Sequence, residues 1–164
     1  MRTTLYTVQE LPEGKISIMA RPRGGDWLLD EARAIRATGV DVVVSCLTPE
    51  EETELELAKE ATYCAQQEIM YLSFPITDLG VPAFSTTTFS FLEQLHSYLS
   101  QQKHIALHCR QGLGRSVLMA ACLLVLSDFS AEQAFDLLSR ARGYSVPETA
   151  EQRAWVTRFS QLKL

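Results

Sequence analysis

The 164-residue sequence contains no run of about 18 apolar residues, so no membrane-spanning helix is expected. Its first residues, Met1-Arg2-Thr3-Thr4-Leu5, lack the long apolar core of a secretion signal, and the cytoplasm is the expected compartment. Cysteine is sparse. Cys46, Cys64, Cys109 and Cys122 show neither paired metal-type spacing nor the density of a disulfide framework, so reduced thiols and no metal are expected. Positive charge is also in short supply: 15 Lys and Arg face 20 Asp and Glu, a net charge of −5 that argues against nucleic acid or an acidic membrane surface as partner. Repeats, low-complexity segments and linkers are absent. An apolar content of 46% over this length suits a single domain spanning 1–164 with a real core.

The charge that is present is uneven. Residues 1–109 carry 8 basic and 15 acidic side chains, whereas residues 110–164 carry 7 basic and 5 acidic ones. Solvated helix faces account for such a split, as does a locally positive rim around an anion site.

Strand patterns are expected at Leu5–Val8, Lys15–Ala20, Val40–Cys46, Ile69–Phe74 and His104–His108. The β-branched run Val42-Val43-Val44 is typical of a strand buried on both faces. Helical stretches alternate with these strands. Trp27–Thr38 stops at Gly39. Thr48-Pro49-Glu50-Glu51 supplies an N-cap, a first-turn proline and a capping-box glutamate, opening a helix expected to run to about Gln67. Thr87–Gln102, Ser116–Ser127, Ala131–Arg142 behind the cap Ser130, and Thr149–Leu162 complete the set. The pattern predicts an α/β three-layer sandwich, with a mostly parallel sheet of about five strands flanked by helices. Ligands of such sheets bind at the carboxyl ends of the strands. The segment after Cys46, Pro75–Ser85 and the loop after His108 are therefore expected to build the site.

That last loop is the most telling stretch: His108-Cys109-Arg110-Gln111-Gly112-Leu113-Gly114-Arg115-Ser116. It lies between the apolar runs Ile105–Leu107 and Val117–Leu126, as strand, tight loop and helix. Backbone amides of such a loop point inward at a tetrahedral oxyanion, and the helix N-terminus adds its positive dipole end. Gly112 and Gly114 let the backbone turn close to the anion. A cysteine at its mouth suggests phosphoryl transfer to a thiolate. A thiol titrates near about 8.5, and lowering it by about three units takes roughly 4 kcal/mol. A helix dipole supplies at most about 2 kcal/mol. Loop amides and a hydrogen bond from Ser116 must supply the rest.

At these residues the chain resembles the protein tyrosine phosphatase superfamily in its dual-specificity branch, and within it the kinase-associated phosphatases, which act on cyclin-dependent kinases. Supporting segments are Gly112-Leu113-Gly114-Arg115-Ser116, Ala120-Ala121-Cys122-Leu123-Leu124, Leu126-Ser127-Asp128, Glu132-Gln133-Ala134, Arg142-Gly143 and, upstream, Pro75-Ile76-Thr77-Asp78-Leu79-Gly80-Val81-Pro82. The resemblance implies a cysteine-dependent phosphatase working through a cysteinyl-phosphate, without metal or other cofactor. Cys109 would be the nucleophile. Arg115 would hold the phosphoryl oxygens bidentately, and Ser116 would support the thiolate. The amides of Arg110, Gln111, Gly112, Leu113 and Gly114 would complete the phosphate cradle. Asp78, 31 residues before Cys109, would be the general acid. His108 would orient the loop.

Relatives often position the hydrolytic water with a glutamine ahead of the last helix. Here Glu148 and Gln152 are the nearest matches, and Glu148 serving only its helix end is the plainer account. Arg21-Pro22-Arg23-Gly24-Gly25 reads as a turn or part of a substrate rim. Cys46 is a candidate redox partner of Cys109. The expected partner is a phosphoprotein, with no nucleic acid or membrane, and a monomer is the expected state. Two other readings are a phosphatase of a non-protein phosphate, such as a phosphoinositide, and a phospho-dependent binding module without turnover. Gln111 and Leu113 stand where lipid-directed relatives tend to carry lysines, which weakens the first.

Overall fold

The structure is a computed structural model that describes residues 4–9 and 11–162. Five strands form one sheet in the order β1-β2-β5-β3-β4. These are β1 (Tyr6–Thr7), β2 (Lys15–Met19), β3 (Val42–Ser45), β4 (Met70–Ser73) and β5 (His104–His108). Only the β1–β2 pair is antiparallel, so the sheet is mostly parallel, as the alternating pattern predicts. Every residue of β3 and β5 is buried, which explains why both read as continuous apolar runs.

Side chains alternate between the two faces. Val42, Val44, Ile105 and Leu107 join a large core with α4 (Thr86–Ser100), α5 (Arg115–Leu126), α6 (Ala131–Arg142) and α7 (Ala150–Leu162). Val43 and Ala106 face the other way, onto Ile35 of α1 (Leu28–Ala37) and Cys64 of α3 (Glu60–Gln66). Helix α5 is buried from Arg115 through Val125, so it runs through the centre of its layer rather than along the surface. Its first turn therefore sits inside the protein, at the carboxyl end of the central strand β5. Trp155 of α7 closes this layer, donating its indole N–H to the Pro82 carbonyl at 2.9 Å.

One expected element divides. The helix predicted from Thr48 to about Gln67 is two: α2 (Pro49–Glu54) and α3. Glu56 adopts φ 57°, the Leu57 N–H bonds the Glu52 carbonyl, and the Glu56 N–H bonds the Thr53 carbonyl. This is a Schellman ending with glutamate where glycine is usual. The break delivers Leu57 into a small core with Leu28 and Leu47, contacts a straight helix would forgo.

Candidate active site

Loop 109–114 leaves β5 and enters α5 with Cys109 3% and Arg115 1% exposed. What fixes its shape is the treatment of its carbonyls. The Arg21 N–H holds the Arg110 carbonyl at 3.3 Å, and the Glu148 N–H holds that of Leu113 at 2.9 Å. The Arg142 guanidinium holds those of Gly112 and Gln111 at 3.1 and 3.2 Å. Four consecutive carbonyls are thus tied to the surrounding scaffold. In a trans peptide the next N–H points opposite to the carbonyl, so the amides of residues 111–114 turn the other way, inward. Gly112 has φ 73°, and a Cβ there would lie 2.9 Å from the Met19 carbonyl oxygen. At Gly114 a Cβ would come within 2.8 Å of side-chain atoms of Glu148 and Gln152. Gly112 therefore requires glycine, whereas at Gly114 a Cβ would displace the ends of two long side chains.

Cys109 Sγ lies 3.2 Å from Ser116 Oγ. Burial opposes its ionisation, but hydrogen bonds from the Ser116 hydroxyl and from the Ser116 and Gly112 amides, with the charge of Arg115, outweigh it. The thiol is held below its ordinary range, and these are the added contributions that the helix dipole alone could not provide. His108 behind it is fully buried, with Nε2 2.7 Å from Glu60 Oε2. Burial disfavours the imidazolium, yet Glu60 reverses that, so His108 takes up a proton more readily than a free histidine.

Arg115 has five N–H donors, of which four are engaged. Nη1 bonds Glu51 Oε1 at 2.7 Å and the Ile76 carbonyl at 2.8 Å. Nη2 bonds Glu51 Oε2 at 3.0 Å and Asp78 Oδ1 at 3.1 Å. Glu51 is the principal residue that sequence reasoning missed. The sequence places it in the capping box, which it does form: its N–H bonds Thr48 Oγ1, and its Oε1 accepts from the Thr48 N–H at 3.1 Å. The same carboxylate also grips Arg115 and touches Arg110 Nε at 3.3 Å. Burial would raise its pKa, but the Arg115 hydrogen bonds hold it down to about 2. The available signal was a first-turn glutamate on a loop already expected to border the site. The Arg110 guanidinium is paired with Glu51 and Glu54.

Asp78, Leu79, Cys109, Arg110, Gln111, Arg115 and Glu148 line one cleft of about 160 Å³. The structure therefore brings together Asp78, Cys109, Arg115 and Ser116 from segments far apart in sequence. More than the three expected loops contribute, since the exit of β2 and residues 146–152 also border the site. Gln152 is fully buried. Its amide donates to the Gly80 carbonyl and its oxygen accepts from the Thr149 N–H, so it anchors the segment Pro75–Pro82, called the acid loop for the role that the family resemblance implies for Asp78. Arg23 is bound to Glu31, with its backbone N–H and its guanidinium both on that carboxylate. Cys46, one residue beyond the Ser45–His108 pair of neighbouring strands, donates its N–H to the His108 carbonyl at 2.9 Å.

Residues 18–128 match the family described as "Polymorphic toxin system, DSP-PTPase phosphatase". The rat protein named cyclin-dependent kinase inhibitor 3 is 33% identical over 132 residues, covering 79% of this chain and 61% of its own length. The chain thus spans about three fifths of the curated relatives it matches in this group. A region of the Arabidopsis thaliana protein named phosphatidylinositol 3,4,5-trisphosphate 3-phosphatase and protein-tyrosine-phosphatase PTEN1 is 38% identical over 96 residues, covering 54% of this chain and 22% of that protein. In fold, the crystal structure of kinase associated phosphatase, with its catalytic-site cysteine replaced by serine, superposes with a TM-score of 0.87 at 24% identity, covering 99% of this chain and 96% of that one. With the family match spanning most of the sequence and a Cys-x5-Arg loop bound as described, the chain belongs to the dual-specificity branch of the protein tyrosine phosphatases.

Proposed function

We propose that the protein is a cysteine-dependent phosphatase that hydrolyses phosphotyrosine, phosphoserine or phosphothreonine in proteins. The observation that carries this reading is an acidified thiol, Cys109, in the same small cleft as Arg115 and Asp78. In the first step Cys109 Sγ attacks phosphorus. The S–P bond forms, the P–O bond to the carrier breaks, and the proton of Asp78 goes to the leaving oxygen. Arg115 and the loop amides hold the three remaining oxygens as charge shifts. In the second step water attacks phosphorus, Asp78 takes its proton, and Cys109 leaves as thiolate. Of the two candidates for holding that water, Glu148 lines the cleft, whereas the Gln152 amide is committed elsewhere. Among the described residues no helix is long and apolar enough to cross a membrane, which fits the proposed cytoplasmic setting. A phosphoinositide headgroup is disfavoured because the cleft wall carries the carboxyl groups of Asp78 and Glu148. The test is phosphate release from para-nitrophenyl phosphate and from phosphopeptides in excess EDTA. Turnover should proceed unchanged. Its absence would leave only a binding module, and recovery on adding a divalent metal would refute the metal-free route.

We further propose Cys46 as the thiol that protects Cys109. Adjacent strands lie about 4.8 Å apart, inside the roughly 7 Å that a disulfide can span between Cα atoms, and both residues face the same core. Burial, then the neighbouring Cys109 charge, keep the Cys46 thiol protonated at rest. After peroxide converts Cys109 to a sulfenic acid, the Cys46 sulfur displaces its hydroxyl. The thiol proton leaves with that hydroxyl as water, and a disulfide remains. Mild peroxide followed by thiol reductant should restore activity to wild type but far less to Cys46→Ser. Equal recovery, with no Cys46–Cys109 peptide by mass spectrometry, would reject this role.

A further inference from the structure

Leu79 is an anomaly on the acid loop. Its φ is 63°, in the left-handed region that costs a residue with a Cβ on the order of 1–3 kcal/mol. Four other non-glycine residues among those described share a positive φ: Glu56, Glu68, Gln102 and Asp128. All four are polar, and each sits immediately after the C-cap of a helix, α2, α3, α4 and α5 in turn, where the left-handed conformation ends helices routinely. Leu79 ends no helix. It occupies the third position of a turn in which the Gly80 N–H bonds the Thr77 carbonyl at 2.8 Å, a place that suits glycine or asparagine.

The loop around it is held at both ends. Ile76 is buried, its N–H on the Cys46 carbonyl and its carbonyl on Arg115. The Gly80 carbonyl is held by Gln152. Leu79 therefore cannot relax its backbone without disturbing the loop. Nor does it recover the strain by packing, because it is 57% exposed. What its position does achieve is to put a leucine on the wall of the cleft above Cys109. There the other lining side chains, the thiol of Cys109 apart, are Asp78, Arg110, Gln111, Arg115 and Glu148, all polar or charged. A cleft of about 160 Å³ holds a phosphoryl group and the start of its carrier, so most of the carrier must pass this rim.

We propose that Leu79 is a specificity-determining residue: it is the apolar wall against which the ring of phosphotyrosine packs. The inference rests on the phosphatase reading above and narrows its substrate class. An aryl monophosphate matches the rim, with one dianionic head for the loop and an uncharged ring for Leu79. A shorter phosphoserine or phosphothreonine side chain brings less apolar surface to the leucine. A polyphosphorylated headgroup would set a further phosphate against Glu148.

The experiment uses two peptides of identical flanking sequence, one with phosphotyrosine and one with phosphothreonine. Their affinities are measured on the full chain carrying Cys109→Ser, alone and combined with Leu79→Gly or Leu79→Asn, so binding is read without turnover. Both second substitutions tolerate a positive φ, so each thermal midpoint should be no lower than that of the parent. The preference for phosphotyrosine over phosphothreonine should fall about tenfold, as expected for the loss of one leucine contact. An unchanged preference in both variants would overturn the role of Leu79 while leaving the phosphatase reading intact. A lowered midpoint with the preference unchanged would do the same. Tighter binding of a soluble phosphoinositide headgroup than of the phosphotyrosine peptide would overturn the substrate class. Failure of the parent to bind either peptide, together with no turnover by wild type, would overturn both readings.

Discussion

Cys109→Ser is expected to abolish turnover of para-nitrophenyl phosphate, leaving less than about 1% of the wild-type rate, while the fold and anion binding survive. Hydrogen bonds from the Ser116 hydroxyl and from the Ser116 and Gly112 amides favour the thiolate against the cost of burial and hold the Cys109 thiol below its ordinary range. A serine hydroxyl is several units harder to ionise, and the same environment cannot close that gap. The side chain is nearly isosteric and can keep a hydrogen bond to Ser116, so the loop has no reason to collapse. Rate measurements and titration with inorganic phosphate on the same preparation give both readouts. Residual activity clearly above about 1% would remove the covalent-cysteine mechanism.

The second large effect depends on the substrate. Asp78→Asn should slow phosphate esters with poor leaving groups by about 10² to 10⁴-fold, yet slow those with good leaving groups far less. Only a basic leaving oxygen needs the proton as the P–O bond breaks. The oxygen of asparagine can keep the Arg115 contact that Asp78 Oδ1 makes at 3.1 Å, so the substitution removes the proton and preserves the position. A series of aryl phosphates of graded leaving-group pKa gives the slope directly. Equal slowing across the series would make Asp78 a positional residue and send the search for the acid elsewhere.

The parts of this molecule that are contiguous in sequence are the parts that can be read from it. The strand, loop and helix around Cys109 occupy consecutive residues, and so does the acid loop from Pro75 to Pro82. Their placement follows from a general rule about the carboxyl ends of parallel strands. What the sequence hides is pairing at a distance. Glu51 meets Arg115 across 64 residues, and Arg142 reaches back about 30 residues to the loop carbonyls. The capping-box spacing from Thr48 sets Glu51 apart from Glu50 and Glu52, but nothing local says that its carboxylate also meets Arg115. Its capping-box geometry aims it inward, and that depends on where α2 starts. The division of the expected helix at Glu56 was hidden for a different reason. Glutamate does not announce a left-handed turn as glycine does, and the contact that favours the break, Leu57 with Leu28 and Leu47, is tertiary.

The donor arrangement of Arg115 bears on the order of events at the site. Glu51 and the Ile76 carbonyl occupy one nitrogen fully and half of the next; the remaining Nη2 proton rests on Asp78, and Nε–H is free for a ligand. A phosphate that takes Nε–H and Nη2–H as a pair must therefore displace Asp78, while Glu51 stays bound. On the mechanism proposed above, an arriving substrate would evict the carboxyl group as it is needed over the leaving oxygen. In this arrangement Asp78 is latched to the arginine, and occupancy would open the latch. Under the proposed mechanism the cleft would be an interlock, in which the proton donor is released by the group it will serve.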